Sequence, residues 1–490
     1  MALYRPELLR RNDLVPKVTP RLSNHTFHKT RRKVSTTTAS LNNGVRSEPP
    51  SYRRIPSLET VKVPHCGYHF DNVPRRFFEG WYWKVQIPST SHSFALIYSI
   101  EDPEGSNPHS GVGVQVMGPA DGYICQFNSN TNSFWADRNN LALGAVLTPG
   151  DHYRLPEVNG NLKRGSNGGV ARCMLSPDRF FDQVMHGFQA SYTRQTGRIV
   201  AREEGTAGRA VSTVKACSWD ISIQPCSGWG ENGNQKATAG WLSILSIFEP
   251  HWQVLMADGL ASGWLDWGGE RYQFKDAPAY AEKNWGGGFP SKWCWVQCNS
   301  FDNQPGLSLT AVGARRALAL GLPGIEEDVG LIGVHLPGSN GQFIELVPWK
   351  GSVDWDVDPW GRWRIHAIND EYEALVEASC SEDAGMVLRA PTFTQGLAPF
   401  CKDTFYGRCR LRIWRLRGKA HGWKGVGNGE IPLIDATSTT AALEVGGGPW
   451  WTPWVAEAAM KEPFRSLVQL PVDVGLLGNM VPGPLKPPGL

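Results

Sequence analysis

The chain of 490 residues is 41% apolar and 19% charged, ordinary proportions for a folded protein of two or three domains, and its formal net charge is +3. So small a balance gives no ground for a nucleic-acid partner. No run approaches the roughly 20 apolar residues of a spanning helix, the longest being 241–248.

The charge is unevenly placed. Ten of the 49 Lys and Arg fall in the first fifty residues against Glu7, Asp13 and Glu48, a net +7 that leaves −4 for the other 440. The same segment holds Thr19, Ser23, Thr26, Ser35 and Ser40 and no apolar core of a secretory signal. A basic, hydroxyl-rich, acid-poor leader reads as an organelle transit peptide or as a disordered basic tail. Its cluster Arg31, Arg32, Lys33 also suits an anionic surface.

Beyond the leader, short alternating segments recur. Residues 81–87 (WYWKVQI), 94–100 and 112–117 come first. Then 264–267 and 271–274 follow, joined by Gly268-Gly269, and 293–298, 307–312, 331–335, 343–347, 363–367, 411–416 and 441–445 complete the series. Alternation over four to eight residues with Gly and Pro punctuation means antiparallel strands. Gly-Gly between two of them is a tight hairpin. With almost no helical periodicity between the strands, the chain is all-β, and its length suits two antiparallel β-barrel lobes with few short helices. The expected divisions are a leader at 1–55, a first lobe at 56–235, a second at 236–465 and an extended tail at 466–490. The polar, glycine-rich stretch 228–240 marks the junction, 150–169 reads as an insertion, and 454–461 is a candidate helix.

Ten cysteines include no CxxC pair, so no zinc site is expected. Cys294 and Cys298 share one face of an apparent strand and read as packing residues. Thiols without a framework spacing fit a reducing compartment.

Trp is the unusual residue, with 21 copies, and it gathers with glycine in four clusters: 77–84 (FFEGWYWK), 248–253 (FEPHWQ), 276–290 (DAPAYAEKNWGGGFP) and 446–451 (GGGPWW). A Trp in a strand is ordinarily core, and a glycine beside it permits a bend or a close backbone approach. The charged members ask for more. Glu79 interrupts an apolar run, Glu249 and His251 flank Pro250, and Asp276, Tyr280, Glu282 and Lys283 crowd in front of a triple glycine. A carboxylate among aromatics loses hydration and its pKa rises. It then keeps a proton near neutral pH, as a general acid requires. A structural ion pair, Glu282 with Lys283 for instance, is the competing reading. The glycine runs are not phosphate loops, because no Lys-Ser/Thr and no helix follow them. No GxSxG elbow occurs.

Several blocks resemble the plant and algal tocopherol cyclases. They are PHCGYHFDNVPRRFFEGWYWKVQIP (64–88), FNSNTNSFWADRNNLALG (127–144), the long segment 248–299 from FEPHWQ to WCWVQCN, VPWKGSVDWDVDPWGRWRI (347–365), ALEVGGGPW (442–450) and KPPGL (486–490). They run from about residue 64 to the end, with drift near 150–170, 195–210 and 313–330. The resemblance implies two lipocalin-like β-barrels, similar to carotenoid hydratases of the hydroxyneurosporene synthase type. It implies closure of the chroman ring of a phytyl benzoquinol to δ- or γ-tocopherol, with no cofactor and no metal. It also implies a chloroplast transit peptide and peripheral contact with a plastoglobule or thylakoid lipid surface.

Such a closure adds a phenol O–H across the first double bond of the prenyl tail. It needs a proton donor, aromatic faces for the developing cation, a dry cavity and a proton acceptor. From residue chemistry the donor candidates are Glu282, then Asp276, then Glu79. His251 is the candidate acceptor, or else a structural histidine. Tyr280, Lys283 and Asn284 are candidates to orient the quinol, and Trp81, Trp252 and Trp285 to form the aromatic wall. A non-catalytic isoprenoid carrier and an isoprenoid hydratase are the rival readings.

Overall fold

The computed structural model describes residues 63–474 and Gly489, apart from 89, 154–173, 207, 209–210, 232–233, 246–247, 318–325, 338–340, 417–424 and 449–451. The leader at 1–55, most of the 150–169 insertion and the tail from 475 to 488 lie outside the described residues.

Strands β1 (Phe78–Gln86), β2 (Ser93–Glu101), β3 (Gly111–Gly118), β4 (Gly122–Asn128), β5 (Phe134–Ala136), β6 (Ala142–Pro149), β7 (Val184–Ser191), β8 (Arg194–Val200) and β9 (Ala216–Ser227) come first. The two-residue strands β10 (Gly230–Glu231) and β11 (Asn234–Gln235) follow, then the long hairpin β12 (His251–Trp267) and β13 (Glu270–Gly286). Next are β14 (Lys292–Cys298), β15 (Ser308–Ala317), β16 (Glu326–His335), β17 (Phe343–Leu346), β18 (Gly351–Val357), β19 (Arg362–Asn369) and β20 (Tyr372–Ser379). The series ends with β21 (Met386–Thr392), β22 (Gly396–Arg415), β23 (Ile434–Gly447) and β24 (Trp454–Ala458). The α-helices are α1 (Pro177–Gln183) and α2 (Phe464–Val468), short as expected.

Two 11-stranded sheets result, the first in the order β4-β3-β2-β1-β13-β12-β9-β8-β7-β6-β5 and the second in the order β17-β16-β15-β14-β23-β22-β20-β19-β18-β24, with β21 on β22. Every pairing between these strands is antiparallel. The first sheet curls: the chain after β8 returns to edge strand β4, where the Arg202 carbonyl accepts from the Phe127 N–H and the Arg202 N–H donates to the Cys125 carbonyl. The all-β, two-lobed expectation holds.

The hairpin of β12 and β13, read from the sequence into the second lobe from 236, hydrogen-bonds into the first sheet between β1 and β9. The first sheet therefore continues to Gly286. Its turn is the foreseen Gly268-Gly269, with φ of +61° and +99°, a mirror-image turn that matches the twist of the strands. Residues 454–458 form strand β24 on β18 where a helix was expected. Their alternate burial, Trp454 in and Val455 out, is the period of a strand. Helix α2 occupies part of the stretch expected to be an extended tail.

Each sheet wraps a core of its own. Trp81, Trp83, Tyr98, Phe188 and Trp219 fill the first, and Trp355, Trp363, Ile365 and Leu411 the second, where Cys294 and Cys298 also pack. A third cluster joins the two sheets: Met117, Val254 and Tyr280 from the first meet Trp293, Trp295, Leu388 and Ala442 from the second. The central strands are consequently buried on both faces, which is why β1 reads as an almost continuous aromatic run. The Trp–Gly abundance follows from close packing. The indole of Trp355, for example, lies 2.5 Å from where a Cβ on Gly313 would stand.

Candidate active site between the two sheets

A cavity of about 640 Å³ opens within the third cluster, a volume in the range of small-molecule sites. The aromatic walls are Tyr82 and Trp252 from the first sheet and Trp293 and Trp295 from the second, with Phe289 between, whereas Trp81, opposite Lys283, turns its ring into the first core. Gln115, Leu388 and Arg389 border it inside, and Glu457, Lys461 and Phe464 at its exposed end. It lies between the lobes, not inside one barrel.

Strand alternation decides which candidates reach it. On β13, Glu282 and Asn284 border the hollow, and Tyr280 belongs to the same inter-sheet cluster. The Tyr280 hydroxyl donates to Glu282 Oε2 at 2.6 Å. Burial lifts the Glu282 carboxyl to about 7, against the opposing pull of the Tyr280 hydroxyl and neighbouring donors. Tyr82, its register partner on β1, presents a buried hydroxyl with no hydrogen-bond partner among the described residues. The Tyr82 ring meets Trp295 edge-on at 5.6 Å.

Lys283 and Trp285 face the other way. Lys283 Nζ pairs with Glu79, donates to the Gly67 carbonyl at 2.7 Å and lies 3.1 Å from His69 Nδ1. Glu79 Oε2 accepts from the His69 backbone N–H at 2.8 Å. The Trp285 ring stacks on His69 at 3.9 Å. His65 extends the chain from His69 at 3.1 Å to the Ser243 hydroxyl at 2.8 Å. None of Glu79, Lys283 and Trp285 borders the cavity. They form a buried ionic clamp fixing residues 65–69 to the sheet, the structural-pair reading of Glu79.

Asp276 is exposed on an irregularity of β13, at φ +51°, with its N–H on the Ser262 hydroxyl at 2.9 Å, and it lies off the cavity. His251 is at the cavity's edge, but it pairs in register with Trp285 and its ring tilts against that indole at 5.3 Å, on the clamp face, with its Nε2–H donating to the Leu245 carbonyl at 3.0 Å. Burial, with Arg316 adding to it, pushes this imidazole down to about 3, so the ring stays neutral. Glu249 is held in a two-pronged pair with Arg75, at 2.8 and 3.1 Å.

The sequence reading passed over the second sheet's share. Glu444 on β23 borders the hollow, accepts from Trp293 Nε1, and has its carboxyl raised to about 7, chiefly by burial. Glu282 and Glu444 are half-buried, and both border the hollow. The available signal was the one that flagged Glu79: a lone carboxylate within the apolar run ALEVG.

Fold and site define an antiparallel two-sheet protein whose aromatic hollow holds protonatable carboxyls, equipment for acid–base chemistry on an apolar ligand. The chain belongs to the tocopherol cyclase-like family, whose model matches residues 75–447. It is 42% identical to the probable chloroplastic tocopherol cyclase of Oryza sativa subsp. japonica, over 90% of each chain. It is 41% identical to the chloroplastic tocopherol cyclase of Zea mays, over 94% of this chain and 93% of that one. Kievitone hydratase from Nectria haematococca superposes with a TM-score of 0.38 at 11% identity, over 81% of this chain and 95% of that one. The resemblance read from the sequence blocks is thus confirmed at the level of the family.

Proposed function

We propose that the protein is a tocopherol cyclase, closing the chroman ring of a phytyl benzoquinol inside the inter-sheet cavity. Membership of the family carries this reading, together with one feature of the site: a carboxyl that burial raises to about 7, facing an aromatic-walled hollow. Glu282 gives its proton to the less substituted carbon of the first tail double bond. Tyr82, Trp252 and Trp295 offer π faces to the tertiary cation that develops. The apolar wall keeps water from capturing it. Tyr280 orients the Glu282 carboxyl, and Asn284 and the free Tyr82 hydroxyl are placed to hydrogen-bond the quinol ring. His251, held neutral, tilts its ring against Trp285 and spends its Nε2–H on the Leu245 carbonyl.

A chloroplast location for this protein follows the printed names of both relatives. Contact with a plastoglobule or thylakoid lipid surface is supported by Phe464. It is 58% exposed and borders the cavity's open end, with Leu467 and Leu470 exposed beside it.

The experiment is to supply dimethyl-phytylbenzoquinol in detergent micelles to the purified protein and weigh the product. Cyclisation leaves the mass unchanged and yields a chromanol, hydration adds one water, and a carrier returns the quinol. Glu282→Gln is expected to lower cyclisation by ~10²–10⁴-fold with folding retained. Near-normal turnover by that variant removes Glu282 as donor.

A further inference from the structure

Glu444 is the cavity carboxyl that the reading above leaves without a task. Its strand places it. Leu443 and Val445 on either side turn into the second core, so Glu444 turns toward the hollow. Its register partners are Trp295 on β14 and Asp403 on β22. Trp293 Nε1 donates to Glu444 Oε1, and among the described residues no other hydrogen bond to this carboxyl is found.

Asp403 explains the proton inventory of this wall. Residues directly opposite on paired strands stand about 5 Å apart at Cβ. Two carboxyls at that separation in apolar surroundings do not both ionise. Asp403 is buried, and neither of its oxygens has a hydrogen-bond partner among the described residues. Burial, then the nearness of Glu444, pushes its carboxyl well above the usual range. Asp403, with neither oxygen partnered, therefore holds its proton the more firmly, and Glu444, braced by an indole N–H and raised to about 7 by burial with Glu282 adding, is the member able to ionise.

We propose that Glu444 is the proton acceptor of ring closure, working on one substrate with Glu282 as donor from the facing sheet. The proposal rests on the cyclase reading. In the first half-step the Glu282 O–H bond breaks, its proton bonds to the less substituted alkene carbon using the π pair, and a carboxylate and a tertiary cation remain. In the second, a lone pair of the phenol oxygen forms the new C–O bond to the tertiary cationic carbon, and the O–H proton passes to Glu444. Net, one proton has moved from Glu282 to Glu444, and it returns through water once the product has left.

The test separates the two half-steps. The full chain is assayed in D₂O micelles with the phytyl benzoquinol and, separately, with its ether methylated at the closing oxygen, which cannot close. Deuterium entering the recovered tail reports protonation, and chromanol reports closure. Glu444→Gln is expected to lower closure ~10²–10³-fold. Deuterium entry into quinol and ether should stay within about threefold of the parent, since that arm belongs to Glu282; it also shows that the variant is folded. Closure at the parental rate, or loss of closure and deuterium entry together, overturns the proposal. If the Gln protein does not fold, Glu444→Asp carries the same two readouts, with reduced closure and retained deuterium entry supporting and any other pattern overturning. Glu282→Gln should stop deuterium entry into both compounds; if entry persists, the donor assignment fails while the closure arm still judges Glu444.

Discussion

Glu282 illustrates how one residue's environment couples stability to activity. Its folded pKa of about 7 stands above the ~4.3 of an unfolded glutamate. Between those values the unfolded chain has released its proton and the folded chain has kept it. The favourable contribution is whole below the lower value and is lost as pH rises through about 7. Replacing Glu282 by Gln removes that loss. Chemical denaturation at pH 8.5 is expected to find the variant about 1–3 kcal/mol more stable than the parent, the range allowing for solvent reaching the cavity. At pH 4 the advantage should vanish. The variant expected to cyclise poorly is thus predicted to be the sturdier protein at alkaline pH, a common outcome where a site holds an unfavourable charge. In kinetics, kcat/KM should fall above about 7 as Glu282 loses its proton and below about 7 as Glu444 gains one. Asp403, Tyr82 and Tyr280 face this pair, so the two limbs report on the group as a whole. Glu444→Gln should erase the acid limb and leave the alkaline one.

Among the elements, β14 and β23 set the second wall. Trp293 pairs with Gly446, and a Cβ on that glycine would meet the indole at 1.9 Å. The ring therefore lies flat over the bare backbone of its neighbour, which is what turns its N–H toward Glu444. Gly446→Ala is expected to cost about 1–3 kcal/mol in a denaturant melt, by displacing the indole. The same change should lower cyclisation, because the Glu444 carboxyl loses its brace. Unchanged stability would mean that the indole has another place to go. On β13 the alternation does comparable work. Adjacent residues Glu282 and Lys283, grouped by sequence into one cluster, go to opposite faces: one to the hollow, the other to the clamp with Glu79.

Taken whole, the molecule makes its site by apposing two sheets, each with a core of its own, so that each contributes one carboxyl to the shared hollow. Phe464, Leu467 and Leu470 leave apolar side chains in solvent at the open end, next to Lys461 and Arg465. Isolated exposed apolar residues are unremarkable, but a set that rims the entrance to an apolar cavity suits entry of substrate from a lipid phase. Phe464→Glu with Leu467→Glu is expected to reduce flotation with galactolipid vesicles severalfold and to raise KM for vesicle-borne quinol. Turnover in detergent should stay near the parent. Equal flotation of parent and variant would remove this face as the lipid contact.

Much was legible in the chain. Period-two alternation with Gly and Pro punctuation determined an all-β protein, Gly268-Gly269 its long hairpin, and the aromatic–glycine blocks its family, because strand period, turn chemistry and composition are local properties. Glu282 with Tyr280 and Asn284 was also within reach, since alternate positions of one strand share a face. What tertiary structure alone decided was which sheet received 251–286, that the hollow lies between lobes, and that Glu79, Lys283 and Trp285 turn away from it. It also decided that Glu444, some 160 residues along the chain, faces Glu282's cavity. Pairing between distant strands sets those facts, and a register change of one residue would send every one of these side chains to the opposite face.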